Sequence, residues 1–242
     1  KGTFRVPGDK SISHRSIMLG SLAEGITHIT GFLEGEDSLA TLEAFQSLGV
    51  SIKGPVNSEV TIEGVGMHGL KAPDAPLDLG NSGTSMRLLS GLLAGQGLDI
   101  TLVGDSSLSG RPMRRVTEPL RLMGAQVETT GQGTAPLVIH PVKRLKAINY
   151  ELPVASAQIK SCLLLAGLYA EGETTVSEPA PTRDHTERML NGFGYRVRRD
   201  ANRISVSGGG KLTACDIDVP ADISSAAFFL VGATISPGSD IV

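Results

Sequence analysis

Apolar residues recur along this chain with two periods that alternate. Ile12, Ile17, Met18, Leu19, Leu22 and Ala23 fall at helical spacing and predict a helix over 11–23. A strand over 26–32 follows, then a helix over 38–48 closed by Gly49, then strands over 50–53 and 59–63. The same order returns as a helix over 85–94, a strand over 99–103, a helix over 112–123 closed by Gly124, and strands over 125–129 and 136–140. It returns once more as a helix over 159–169, a strand over 174–177, a helix over 184–193 closed by Gly194, and strands over 195–199 and 203–207. The closing glycines stand 75 and 70 residues apart, each where a helix end favours a left-handed residue. The pattern predicts an α/β chain of three repeated α-β-α-β-β units, each burying its apolar face against its neighbours. After a strand over 215–219, Asp222 opens a further apolar helix that no second half follows.

Each unit begins with small or hydroxyl residues and few acids. The first start is Gly8-Asp9-Lys10-Ser11-Ile12-Ser13-His14-Arg15, the second Gly80-Asn81-Ser82-Gly83-Thr84, the third Val154-Ala155-Ser156-Ala157-Gln158. A helix N-terminus presents unpaired N–H groups and a partial positive charge, so each start is a candidate anion site. Three equivalent units place these starts on one rim. Lys10 and Arg15 add full charges to the first.

Composition narrows the function classes. The 242 residues are 40% hydrophobic with a net charge of −3, which supports a real core and argues against a general nucleic-acid binder. Cys162 and Cys215 form no disulfide framework and no metal-ligand spacing, and Cys162 reads as a buried inert thiol. No apolar run of about 18 residues and no signal-peptide pattern occurs, so the expectation is a soluble, cytoplasmic protein without membrane contact. Both ends, at Lys1 and Val242, read as cut.

Two glycine motifs carry no chemistry. Gly64-Val65-Gly66-Met67-His68-Gly69 matches a dinucleotide fingerprint, but Pro73 and Pro76 follow where a helix should start. Gly208-Gly209-Gly210-Lys211 lacks the hydroxyl residue of a P-loop. Among the arginines, Arg111 precedes Pro112, read as the first residue of its helix and placed for the rim. Arg114, Arg115 and Arg121 read as a solvated face, and Arg87 as the partner of an acid at the rim. Asp184 and Glu187 fit a capping pattern, which frees Arg183 for an anion; His185 reads as a surface helix residue. Glu34, Glu36 and Asp37 read as charges complementing a helix dipole. The residues point to a small substrate with several anionic groups, with no metal site and no cofactor motif.

Four motifs in order, Gly8 to Arg15 with the preceding Pro7, Leu79 to Thr84, Gly110-Arg111-Pro112 and Ala155-Ser156-Ala157-Gln158, resemble the 5-enolpyruvylshikimate-3-phosphate synthase family over nearly the whole chain. Thr182-Arg183-Asp184-His185-Thr186-Glu187 resembles its class II bacterial branch. The resemblance implies the enolpyruvyl transferase fold: two lobes, each an inside-out α/β barrel with helices inside and sheets outside. It places an N-terminal lobe at 10–221 and stubs of a second, C-terminal lobe at 1–9 and 222–242. It implies transfer of the enolpyruvyl group of phosphoenolpyruvate to the 5-hydroxyl of shikimate 3-phosphate, without metal or cofactor, in a monomer inhibited by glyphosate.

Carried over by position, Lys10 is catalytic and contacts both substrates, while Ser11 and Arg15 hold the shikimate carboxylate. Gly83 and Arg111 line the phosphoenolpyruvate site. Ser156, Ala157 and Gln158 hold the 3-phosphate, with Ala157 offering only its backbone N–H. Arg183 takes a phosphate nearby, assisted by Thr182. The family's aspartate base lies in the second lobe, so the resemblance implies that this chain binds without turning over alone. Two rivals stand beside it. The related UDP-N-acetylglucosamine enolpyruvyl transferase carries a cysteine in an arginine-rich loop, which neither cysteine here matches. The other is a non-catalytic lobe that only captures a phosphorylated acid.

Overall fold

A computed structural model describes residues 3–241; Lys1, Gly2 and Val242, assigned above to the stubs, lie outside the described residues. The first unit runs α1 (Lys10–Leu22), β1 (Ala23–Thr30), α2 (Glu36–Ser47), β2 (Ser51–Val56) and β3 (Glu59–Val65). The second runs β4 (Leu77–Asp78), α3 (Gly83–Ala94), β5 (Ile100–Val103), α4 (Ser106–Ser109), α5 (Arg114–Leu122), β6 (Gln126–Glu128) and β7 (Leu137–His140). The third runs β8 (Leu145–Lys146), β9 (Asn149–Glu151), α6 (Ala157–Gly167), β10 (Ala170–Glu171), β11 (Glu173–Ser177), α7 (His185–Gly192), β12 (Val197–Asp200) and β13 (Arg203–Ser207). The chain ends through β14 (Leu212–Thr213), β15 (Ile217–Asp218) and α8 (Ile223–Ile235).

The three-fold order is present, with short strands that the periodicity does not predict. β4 pairs parallel with β5, and β9 parallel with β11, so each crossover passes through the unit's first helix. In the first unit the matching place beside β1 is filled from the far end of the chain, by β15. The last strand therefore closes the set by completing the first sheet. These strands, like α4, β8, β10 and β14, are two to four residues long. That is too short for hydrophobic periodicity to register.

Each unit also holds an antiparallel pair, β1 with β3, β5 with β7 and β11 with β13, while β10 pairs parallel with β8. Burial alternates along β7 and β13, which face the core with one side only. The described sheets are open, so the architecture is mixed α/β with no closed barrel among them. The closing glycines Gly49, Gly124 and Gly194 all have positive φ, as their helix-end positions require.

The first helix of each unit forms the centre of the core. α1, α3 and α6 are buried along most of their length; α3 and α6 are largely apolar, whereas α1 also buries Ser13, His14, Arg15, Ser16 and Ser21. α3 meets α6 so closely that a Cβ on Gly91 would lie 2.0 Å from the carbonyl oxygen of Cys162. Cys162 is buried as expected, and burial pushes its thiol pKa up.

Two segments that are distant in sequence run side by side. Asp9 N–H donates to Pro220 O (2.8 Å) and Asp222 N–H to Pro7 O (2.9 Å), around an antiparallel bridge from Gly8 to Ala221. Beyond them α8 buries none of its residues, and Phe228 is 83% exposed. Phe4 stacks against Phe229 with ring centroids 4.2 Å apart. No helix among the described residues is long and apolar enough to cross a membrane.

Candidate active site

Each of the three core helices starts with a side-chain cap. Asp9 Oδ1 accepts from Ile12 N–H (2.8 Å), Ser82 Oγ from Ser85 N–H (3.1 Å), and Ser156 Oγ from Ile159 N–H (3.4 Å). None carries an acidic residue in its first turn. The three ends touch pairwise. His14 of α1 lies 3.2 Å from Ser85 of α3, and Gln158 of α6 donates to Thr84 of α3 (3.1 Å). Arg15 of α1 donates to Ser161 of α6 (3.0 Å). The expected convergence of helix tips is therefore present in the geometry.

The second and third tips share a cationic cluster. Gly83 opens α3, and a Cβ there would meet Arg87 Nη1 at 2.8 Å and Arg111 Nη1 at 3.0 Å. Arg111 donates to Asn81, through both the backbone oxygen and Oδ1, and Asn81 in turn donates to Asp105 (2.7 Å). Asp105 also caps α4, the short turn just before Arg111. Arg87 donates to Gln158 Oε1 (2.9 Å). Its pKa is lowered by burial and then by Arg111 and Arg115. The expected acid partner of Arg87 is thus replaced by an amide, and among the described residues neither guanidinium forms an ion pair with a carboxylate, although the charge of Arg111 helps lower the pKa of Asp105. That arrangement favours a bound phosphate or carboxylate.

At the first tip, Lys10 is half-exposed and ion-paired with Asp37 of α2. Asp37 therefore does more than complement its own helix dipole. Ser11 gives its backbone oxygen to Arg15 Nη1 (2.8 Å). Arg15 is buried and also donates from Nε to Thr186 (2.7 Å). Burial holds its pKa down to about 10. Arg183 is exposed and stands near enough for its charge to depress Arg15 further. His185 is half-buried beside these two arginines instead of lying on the open surface, and its pKa is lowered by burial and by Arg15.

Thr182 has its hydroxyl committed to Glu178 (2.7 Å). Glu178 is the hub of a buried cluster that the sequence reading missed. Lys160, 0% exposed, places Nζ 3.0 Å from Glu178 Oε2 and 2.7 Å from Glu187 Oε1. The Glu187 contact is close but poorly aligned, since neither of its oxygens has a directed donor. Arg199 reaches Glu178 Oε1 (3.2 Å).

Several sequence expectations are corrected here. Asp184 makes no side-chain cap and pairs with Arg188, while Glu187 is buried against Lys160, so the two form no capping box. α5 starts at Arg114 and not at Pro112, with Met113 as its cap. Arg114, Arg115 and Arg121 are exposed, as a solvated face requires, and Arg121 also donates to Val127 O (2.6 and 3.0 Å). Lys160 had one readable signal: a charge inside an apolar helix is seldom buried unless paired. A cavity of about 630 Å³ opens near the crossing segments, lined by Arg5, Gly8, Gly31, Glu34 and Ser58 among others. It touches none of the expected site residues.

His14 links the tips. It is fully buried, with Nδ1 2.8 Å from Thr41 Oγ1, and Nε2 has no partner. Burial lowers its pKa from 6.5 to about 4, so it is neutral at pH 7. The unfolded chain binds this proton more readily, so stability contributed by neutral His14 is complete above pH 6.5 and is lost as pH falls toward 4. The loss over that window is about 3 kcal/mol. Denaturant titrations from pH 7 to 4 should show it, and His14→Gln should flatten that part of the profile. An unchanged slope in the variant would assign the acid sensitivity to other groups.

Residues 1–242 match the family described as EPSP synthase (3-phosphoshikimate 1-carboxyvinyltransferase). A relative from Methylococcus capsulatus named 3-phosphoshikimate 1-carboxyvinyltransferase is 71% identical over 241 residues, and one of the same name from Hydrogenovibrio crunogenus is 66% identical over 247. Both alignments cover 100% of this chain but 55% and 56% of those proteins, so the chain spans about half the length of the curated relatives it matches. The EPSP synthase structure from Acinetobacter baumannii superposes with a TM-score of 0.96 at 66% identity, covering 99% of this chain and 54% of that one. With all 242 residues of the chain matched by the family and the fold shared, this chain belongs to the EPSP synthase (3-phosphoshikimate 1-carboxyvinyltransferase) family.

Proposed function

We propose that this chain supplies one substrate-binding half of an enzyme that moves the enolpyruvyl group of phosphoenolpyruvate onto the 5-hydroxyl of shikimate 3-phosphate, releasing phosphate. The observation that carries this reading is the mutual contact of three helix tips with no acid in their first turns, with Arg87 and Arg111 at the junction of the second and third forming no ion pair with a carboxylate among the described residues. Both substrates are polyanions, and fixed cations in a preorganised site are the natural device for them. Lys10 stabilises charge at phosphoenolpyruvate, leaving Asp37 to do so. Ser11 and Arg15 hold the carboxylate of shikimate 3-phosphate. Gly83 and Arg111, with Arg87 added, face phosphoenolpyruvate. Ser156, Ala157, Gln158 and Arg183 take the 3-phosphate, with Thr182 assisting through its backbone N–H while its hydroxyl stays on Glu178. The 5-hydroxyl gives up its proton and adds to C2 while C3 gains a proton; the tetrahedral adduct then expels phosphate as C3 loses a proton, which restores the enol double bond. No metal or organic cofactor takes part in this scheme.

The reading extends to domain layout. Residues 10–221 form one lobe, an inside-out barrel with the three core helices within, and 1–9 and 222–242 belong to a second lobe. The paired crossing segments and the uncovered apolar α8 support this division. Completion by the relatives' other half is needed for turnover, and the assembled enzyme is taken to be a cytoplasmic monomer. Titration calorimetry with shikimate 3-phosphate tests the proposal on the chain itself. Weak saturable binding is expected, strengthened on adding the second half. No binding in either case, or turnover by the 242 residues alone, would overturn it.

Glyphosate is expected to inhibit the assembled enzyme. A methyl on Gly83 would press on the Arg87 and Arg111 guanidiniums and narrow the space beside them. Because both are flexible ends, Gly83→Ala should fold normally and raise the glyphosate inhibition constant more than the phosphoenolpyruvate KM. Equal inhibition of the two forms would remove Gly83 from the site.

A further inference from the structure

The Lys160 cluster has no place in the reaction scheme, yet it sits directly behind the residues that do. Residues 179–184 have no helix or strand of their own and carry Thr182 and Arg183. Glu178 precedes this stretch just after β11, and Glu187 follows it in the first turn of α7. One buried ammonium contacts both carboxylates, 3.0 Å from the first and 2.7 Å from the second. The Glu178 backbone is fixed independently, donating its N–H to Asn202 O (2.9 Å) and accepting from Asn202 Nδ2 (3.1 Å). Its side chain takes the Thr182 hydroxyl on the same oxygen that meets Lys160. At the other end, Thr186 precedes Glu187 and accepts from Arg15 Nε while donating to Ser161 Oγ (2.8 Å).

We infer that Lys160 is a positioning residue that ties the two ends of the 179–186 stretch together, and so sets Thr182, Arg183 and, through Thr186, Arg15 for anion binding. An apolar residue of similar volume would fill this space without the desolvation cost of an ion cluster. What the ammonium adds is one charge within 3.0 Å of carboxylates on either side of this stretch, directed to Glu178 and close to but unaligned with Glu187. The inference deepens the proposed function and rests on it for the identity of the anion.

The variant that separates positioning from stability is K160M/E187Q in the 242-residue chain. It removes one charge of each sign and leaves Glu178 with Arg199 and Thr182, so net charge near the site is unchanged. Its melting temperature should stay within a few degrees of wild type. Amide hydrogen exchange across 181–186 should accelerate at least tenfold, and shikimate 3-phosphate affinity by calorimetry should fall at least tenfold. K160M alone, which strands the buried Glu187, should melt lower. Should the double variant not fold, E187Q alone is read by the same two measurements. Wild-type exchange and affinity in a folded variant would reduce Lys160 to a core ion pair and end the proposal. If the wild-type chain binds no shikimate 3-phosphate, the functional reading fails instead, and the exchange rates by themselves decide whether the link exists.

Discussion

Replacing Lys10 with methionine should lower kcat of the assembled enzyme by about 10²–10³-fold, the usual cost of removing one preorganised charge from a developing anion. The fold should barely respond. Lys10 is half-exposed, its ion pair with Asp37 is near the surface, and such pairs contribute about 0–1 kcal/mol. The effect should therefore appear in kcat and in the affinity for phosphoenolpyruvate, with the melting temperature almost unchanged. Arginine at the same position would retain the charge but spread it over a planar group, and should restore only part of the rate. A K10M enzyme within threefold of wild-type kcat would show that the first helix tip binds without assisting the chemistry.

Gly91→Ala should be the most damaging small substitution in the core. The added methyl would sit 2.0 Å from the Cys162 carbonyl oxygen and 2.8 Å from its carbon, both backbone atoms of a buried helix. Neither can swing aside as a long side chain would, so α3 and α6 must separate. Overpacking a tight core costs about 1–3 kcal/mol and sometimes more. In a domain of this size each kcal/mol lowers Tm by about 2–4 °C, so a fall on the order of 10 °C is expected. The change also propagates to the site, because α3 and α6 carry two of the three helix tips. Affinity for shikimate 3-phosphate should drop together with Tm. By contrast, Gly192→Ala, where nothing lies within 4 Å of the new methyl, serves as the tolerant control. If G91A and G192A melt alike, the close approach of the two helices is wrong.

Much of this molecule is readable before any coordinates. The long helices and their glycine stops follow from 3.6-residue periodicity and the need for positive φ at Gly49, Gly124 and Gly194. The acid-poor starts at Lys10, Gly83 and Ala157 mark the helix tips directly, because a cap and its neighbours are local in sequence. Glu187 shows where local reasoning fails. Its spacing from Asp184 fits a capping box, but a buried lysine one element away competes for the carboxylate and wins. Arg87 fails for the same reason, since its partner Gln158 is 71 residues distant.

The sequence alone determined that there are three like units, that each opens with a helix tip suited to an anion, and that its long helices carry apolar residues at helical spacing. Those features depend on period and on neighbours within a few residues. Only the tertiary structure decided that β15 completes the first sheet, that Lys10 rests on Asp37, and that Lys160 joins Glu178 to Glu187. Each of these is a pairing between elements far apart in the chain. Hydrogen bonds and ion pairs of that kind are selected by packing geometry, which no local pattern of residues encodes.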